Sequence, residues 1–184
     1  VDNGSARFIF DLSAPTLLAQ VVMSDGLNAL SDEGVQLSLK DANGTPIGVL
    51  VDSVDIQETG AVRTIVLVKG RFNSDCPLEF TARWSIVASA SSAFLDLGIH
   101  NPRPSQHLGG LWDLGDPGSF FIGDLSVMLA PAAGADSIEW QLQPGAEAYR
   151  EAVSAWSIVQ DSSGGIHWNS PNHLQADGRL RSEE

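Results

Sequence analysis

Two segments of the sequence gather side chains that can handle a sugar. Residues 100–119 contain Trp112, residues 160–173 contain Trp168, and Asp and Asn residues lie close to each tryptophan. Indole faces stack on pyranose rings, while carboxylate and amide groups bond to sugar hydroxyls. The candidate carbohydrate-binding residues are therefore Asn101, Arg103, Trp112, Asp113, Asp116, Asp161, Trp168 and Asn172.

The same residues also have a structural explanation. Trp112 and Trp168 could fill gaps between loop and sheet, with the Asp and Asn side chains bonded to backbone amides in turns. Both explanations stay open at this point. Loops of this length are uncommon and often functional. We expect the two segments to pack against each other, because neither can bury its tryptophan alone.

Metal and nucleophile chemistry has weaker support. His107, Asp113 and Asp116 share the first segment as possible metal ligands, and Asp161 of the second segment could join them. Their spacing matches no EF-hand, HExxH or cysteine-rich pattern. Ser162 lacks the Gly-x-Ser-x-Gly elbow, and Cys76, the single cysteine, has no histidine near it in sequence. We predict no metal site and no cofactor.

The elements that must hold these segments have the pattern of β-strands. Apolar and polar residues alternate with period two, and turn residues interrupt the alternation. Asn43-Gly44 predicts a hairpin because both residues tolerate positive φ. Only residues 145–153 have a helical pattern. We predict an all-β fold, an antiparallel β-sandwich with long functional loops and less than about 10% helix. The candidate strands are residues 7–12, 16–23, 35–40, 47–54, 61–69, 80–88, 95–99, 119–129, 137–143 and 152–159.

Two residues of the predicted strands need separate comment, because one is a charged residue and the other a tryptophan. Arg63 lies beside apolar residues of its strand, either as the buried partner of a carboxylate or at an edge with its guanidinium in water. Trp140 is most simply a core residue.

Charge and hydropathy exclude several function classes. The 184 residues include 23 Asp and Glu against 10 Lys and Arg, for a net charge of −13. Such a surface repels phosphate backbones, so we predict no nucleic-acid partner. No apolar run approaches the roughly 20 residues of a membrane-spanning helix, so we predict no membrane insertion. One cysteine excludes an internal disulfide framework.

Three groups of residues resemble motifs of the exo-rhamnogalacturonan lyase-like (YetA-like) family, and together they extend over nearly the whole chain. The first group is Asn101-Pro102, His107, Gly110 and the run Trp112-Asp-Leu-Gly-Asp-Pro-Gly-Ser119. The second is the run Gln160-Asp-Ser-Ser-Gly-Gly165 with Trp168, Ser170 and Asn172-His173. The third is Gly60-Ala-Val-Arg63 followed by Gly70-Arg71-Phe72.

The resemblance implies the central part of a larger architecture. Members of the family combine an N-terminal RIFT-type barrel, a central β-sandwich and a C-terminal α/α toroid. Residues 1–179 then correspond to the central β-sandwich domain, and residues 180–184 to a charged tail leading to a missing downstream domain. The expected partners are the barrel and toroid of the parent chain and a uronate-containing polysaccharide. The substrate class and the absent initiator Met indicate an extracellular or periplasmic location.

A lyase reaction at a uronic acid needs a base, an acid and a cation that neutralises the carboxylate. His107 and His173 are the candidate catalytic residues, and Arg103 is the candidate cation. The alternative is that each imidazole bonds to loop backbone. Taken together, the two segments contain Asp113, Asp116 and Asp161 against a single cation, Arg103. This balance is unfavourable for an anionic substrate, so we predict that the chain alone is not catalytic.

Two functions therefore compete. The first is a carbohydrate-facing accessory module of a polysaccharide lyase-like protein. The second is a structural or assembly module of a cell-surface or extracellular protein, whose loops serve its interfaces. A self-sufficient lyase ranks third.

Overall fold

The computed structural model describes residues 1–73, 75–90, 92–104, 118–132, 137–141, 145 and 147–152. The chain divides into two compact units, Val1–Gly134 and Ala135–Glu184. No helix forms in the described part of the chain, and every strand pairing there is antiparallel. The predicted all-β class is confirmed.

In its described residues, the first unit contains ten strands. They are β1 (Ala6–Ile9), β2 (Thr16–Leu18), β3 (Gln20–Met23), β4 (Leu30–Asp41), β5 (Pro46–Ile47), β6 (Val49–Thr59), β7 (Arg63–Phe72), β8 (Glu79–Val87), β9 (Ala93–His100) and β10 (Ile122–Pro131). One sheet has the order β6-β7-β8-β9. A second has the order β10-β4-β2, with β5 also paired to β4, and β1 pairs with β3.

A single apolar core joins these sheets into a sandwich. Alternate residues of β7 and β8 supply one side of the core, and β1, β2 and β4 supply the other. The Trp84 indole N–H of β8 donates to the backbone oxygen of Leu17 in β2 at 3.1 Å. Because this bond is buried and joins the two layers, it fixes their relative position as well as satisfying the indole.

The alternation predicted for β8 and β9 is confirmed residue by residue. Phe80, Ala82, Trp84 and Ile86 are buried, whereas Arg83 is exposed. In β9 the exposed positions are Phe94, Asp96, Gly98 and His100. The sheet therefore has one face toward the core and an outer face toward solvent.

The predicted strand 16–23 is divided in the structure. Its first part, β2, pairs with β4, and its second part, β3, pairs with β1. At the break, the Ala19 N–H donates to the Ile9 oxygen at 2.9 Å. A strand that changes sheets keeps its apolar pattern, so alternation alone does not locate such a break.

The hairpin predicted at Asn43-Gly44 is present between β4 and β5, with a different turn. Gly44 has φ of 80°, whereas Asn43 is not among the described residues with positive φ. The Asp41 carboxylate accepts the backbone N–H groups of Asn43 and Thr45, each at 2.8 Å. The Thr45 bond is the main reason why the pKa of Asp41 is lowered.

The second unit contains a hairpin of β11 (Ile138–Trp140) and β12 (Tyr149–Glu151). The helical pattern of residues 145–153 therefore does not form a helix at residues 149–151, which are a strand. Trp140 lies opposite Tyr149, and the two rings stack with centroids 5.6 Å apart. This aromatic cross-strand pair favours strand over a short, weakly amphipathic helix. Trp140 is half-buried, and residues 153–159 lie outside the described part of the chain.

Candidate functional site

Of the residues predicted to form a site, the structure describes Asn101 and Arg103. The others lie outside the described residues, namely His107, Trp112, Asp113, Asp116, Asp161, Trp168, Asn172 and His173. The expected packing of residues 100–119 against residues 160–173 also falls there and stays a prediction.

Asn101 closes the neck of the first predicted loop, directly after β9. Its Nδ2 donates to the Gly118 oxygen at 2.8 Å, and its Oδ1 accepts the Arg103 N–H at 3.1 Å. One side chain thus holds the outgoing and the returning strand of the loop, as asparagine often does in turns. These bonds explain Asn101 as a positioning residue, and its role in binding a sugar stays a prediction.

Arg103 is exposed at this neck. Three residues earlier, His100 ends the outer face of β9, with its Nδ1 3.8 Å from Glu79 Oε2. The register places Arg71 of β7 opposite Glu79, so Arg71, Glu79 and His100 form one row across the outer face. The neck therefore begins directly after His100, the residue at the end of this row, and Arg103 follows three residues later.

The outer face of the β6–β9 sheet concentrates the basic residues of the chain. It carries four of the ten Lys and Arg residues, namely Arg63, Lys69, Arg71 and Arg83. Five carboxylates share this face, namely Asp52, Asp55, Glu58, Glu79 and Asp96. Positive and negative charges are therefore nearly balanced on this face, whereas the whole chain has a net charge of −13. The face repels an anion much less than the average surface does.

Two of these cations form exposed ion pairs along the sheet. Arg63 Nη2 lies 3.0 Å from Glu58 Oε2, and Arg71 pairs with Asp52. Arg63 thus combines parts of the two predicted placements: it pairs with a carboxylate, but it is exposed, and its strand β7 lies between β6 and β8. Pairs this exposed contribute at most about 1 kcal/mol each to stability.

The sequence did not single out the middle of this face. Arg83 Nη2 donates to Gln57 Oε1 at 2.9 Å, and both residues line a shallow groove with Leu67 and Thr81. Alternation placed Arg83 and Asp96 on the polar faces of their strands. It did not supply the register that brings Gln57 of β6 to Arg83 of β8.

Among the described residues, no group of three His, Cys, Asp or Glu side chains is arranged to hold a metal ion. The same part of the chain contains no helix able to span a membrane. Comparisons of the chain with family models, curated proteins and solved structures find no match. The resemblance to exo-rhamnogalacturonan lyase-like proteins thus rests on the sequence motifs quoted above.

Proposed function

We propose that the chain is a carbohydrate-facing accessory module, the central β-sandwich of a lyase-like protein whose substrate is rhamnogalacturonan or a related uronate polysaccharide. The observation that carries the proposal is the loop neck at the end of β9. There Asn101 ties Arg103 and Gly118 together and leaves the Arg103 side chain exposed at a fixed place.

A guanidinium held in this way suits a carboxylated sugar. Arginine presents several N–H donors in one plane and binds carboxylates in a bidentate manner. Because the neck is bonded at both strands, little backbone freedom is lost when Arg103 binds a ligand. The sandwich then acts as a rigid base for the predicted loop residues.

The module is not a catalyst by itself in this proposal. Proton removal beside a uronate carboxylate needs a base and a cation in a site shielded from water. The histidine in the described part of the chain, His100, has an exposed side chain beside Glu79. That arrangement favours a solvated pair over a preorganised base. The barrel and toroid expected in the parent protein would supply the remaining groups.

The experiment compares Arg103→Gln with a charge-matched control, Arg7→Gln. Arg7 is also exposed. It belongs to β1, outside the β6–β9 sheet, and lies near Asp2. Each variant is run by affinity electrophoresis in gels with and without rhamnogalacturonan. We expect the polymer to retard the unmodified chain and Arg7→Gln, and to retard Arg103→Gln much less.

Equal retardation of both variants would remove Arg103 from the proposal. Absence of retardation for the unmodified chain would contradict a carbohydrate role altogether. Thermal unfolding of each variant verifies that a lost interaction is not a lost fold.

A second candidate function, an assembly module, has its own supporting observation on β10. Leu125, Val127 and Leu129 lie opposite the buried Leu39, Leu37 and Val35 of β4. Yet their exposed fractions are 38%, 46% and 63%. Within the described part of the chain, β10 pairs along one edge alone. An apolar edge strand of this kind is typical of strand-to-strand association.

Sedimentation of the purified chain tests this second candidate. If β10 joins copies of the chain, the unmodified protein forms a dimer or a larger assembly, and Val127→Lys restores the monomer. A monomer at every concentration measured would contradict the assembly function.

A further inference from the structure

The outer face of the β6–β9 sheet contains a groove of about 400 Å³, and neither Asn101 nor Arg103, the two predicted site residues that the structure describes, lines it. Its lining includes Gln57, Leu67, Thr81, Arg83, Asp96 and Gly98, contributed by all four strands of the sheet. The groove thus runs across the strands and not along one edge.

The floor of the groove is apolar and its cover is polar. Leu67 lies on the outer face of β7 but is only 9% exposed. The Gln57–Arg83 hydrogen bond joins the strands on either side of β7, so it passes over the position of Leu67. The bond fixes the guanidinium and uses one of its five N–H donors. The remaining donors stay available to a ligand.

Two cations of this face, Arg83 in the groove and Lys69 beside it, have no carboxylate partner among the residues that the structure describes. No carboxylate of the described residues lies within 4.0 Å of the side-chain nitrogens of Lys69 or Arg83. Lys69 of β7 lies opposite Thr81 of β8, and Arg83 follows Thr81 by two residues on the same strand. Lys69 and Arg83 are therefore diagonal neighbours, with Cα atoms about 7–8 Å apart. The other outer-face cations, Arg63 and Arg71, are already paired.

An aromatic ring flanks the same groove. Phe94 lies two residues before Asp96 on the outer face of β9 and is 61% exposed. From strand spacing and rise per residue, the Cα atoms of Phe94 and Lys69 are about 17 Å apart across the face. Between them lie the carboxylate of Asp96, the guanidinium of Arg83 and the hydroxyl of Thr81.

We propose that this groove is a second polysaccharide-binding site, separate from the loop neck, that recognises a uronate unit through its carboxylate. Lys69 and Arg83 bind the carboxylate, Asp96 accepts hydroxyl donors, and the Phe94 ring stacks on a neighbouring sugar. The ligand class rests on the proposed function. The location rests on the exposed ring and on two cations that have no carboxylate within 4.0 Å in the described part of the chain.

A charged ligand can approach this face in spite of the acidic surface elsewhere. The Debye length is about 8 Å at physiological salt. Carboxylates outside the face are therefore largely screened from a polymer lying along the groove. Contacts made directly by Lys69 and Arg83 are screened much less.

The experiment measures binding of an oligogalacturonate by titration calorimetry to Lys69→Gln, Arg83→Gln and Phe94→Ala. Arg63→Gln is the matched control because it removes one cation from the same face, at a position paired with Glu58. We expect each groove variant to bind about tenfold more weakly than the unmodified chain, and Arg63→Gln to bind equally well. A carboxyl-reduced oligomer tests carboxylate recognition, and we expect the unmodified chain to bind it about tenfold more weakly.

The outcomes separate this site from the loop neck. If the unmodified chain binds the oligomer and the groove variants bind it equally well, the groove proposal is wrong and the proposed function stands. If the groove variants lose affinity while Arg103→Gln does not, the groove stands and the neck is not a binding site. If the unmodified chain binds neither oligomer, both proposals are wrong. Unfolding midpoints of the four variants verify that their sheets are intact.

Discussion

At the scale of single residues, the structure shows close approaches that composition does not reveal. Gly70 lies near the end of β7, opposite Phe80 of β8. A Cβ atom on Gly70 would overlap the Phe80 ring and the Leu50 backbone oxygen. The glycine therefore makes room for an aromatic ring that is 1% exposed in the core. The sequence predicted a strand over residues 80–88, but it did not connect Phe80 with Gly70.

We predict that Gly70→Ala lowers the free energy of unfolding by about 1–3 kcal/mol, because the methyl group forces the ring or the strand to shift. Urea unfolding measures this loss. Gly98→Ala is the matched control, since its Cβ would meet the Thr81 hydroxyl at 2.9 Å, at the end of a side chain that can rotate. Equal losses in the two variants would contradict the explanation by ring packing.

At the scale of elements, alternation predicted the faces of β8 and β9 but not every boundary. It predicted one strand where β2 and β3 belong to different sheets, because a change of sheet does not alter the period. It also gave residues 145–153 a helical pattern through Ala146, Tyr149 and Val153, a segment too short to distinguish a helix from a strand. Tertiary pairing, in this case Trp140 with Tyr149, decided the outcome. The register between paired strands depends on contacts that are distant in sequence. The sequence alone therefore could not show that the groove residues of four strands lie together.

The β4–β5 hairpin gives a pH-dependent prediction. Hydrogen bonds from the turn lower the pKa of Asp41 in the folded protein. The stability that these bonds contribute is therefore present above the unfolded pKa of about 3.9 and is lost as pH falls through the lowered folded pKa. We predict that Asp41→Asn lowers the urea midpoint at pH 7 and that this difference shrinks as the solution is acidified below about pH 4.

Asp25→Asn is the control for this prediction. Asp25 accepts one backbone N–H, that of Leu27, whereas Asp41 accepts two. We expect a smaller change in urea midpoint at pH 7 for Asp25→Asn. A difference for Asp41→Asn that is constant from neutral to acidic pH would show that the carboxylate charge does not contribute.

At the scale of the whole molecule, net charge does not describe the local distribution of charge. The net charge of −13 is an average over an acidic surface. The fold instead collects four cations on one outer face, two of them without a carboxylate partner in the described part of the chain. Composition averages over the surface, whereas binding depends on local charge. The sandwich was predictable from the sequence, and this distribution was not.

The most direct test of the central claim is titration calorimetry of the unmodified chain with rhamnogalacturonan. An accessory module that binds without catalysis gives heat that saturates, and the signal returns to baseline after each injection. A lyase gives a heat flow that persists after each injection for as long as substrate remains. We predict saturating heat and a stable baseline. Persistent heat flow that disappears in His107→Ala or His173→Ala would make this chain the enzyme, and the absence of any binding heat would contradict a carbohydrate role.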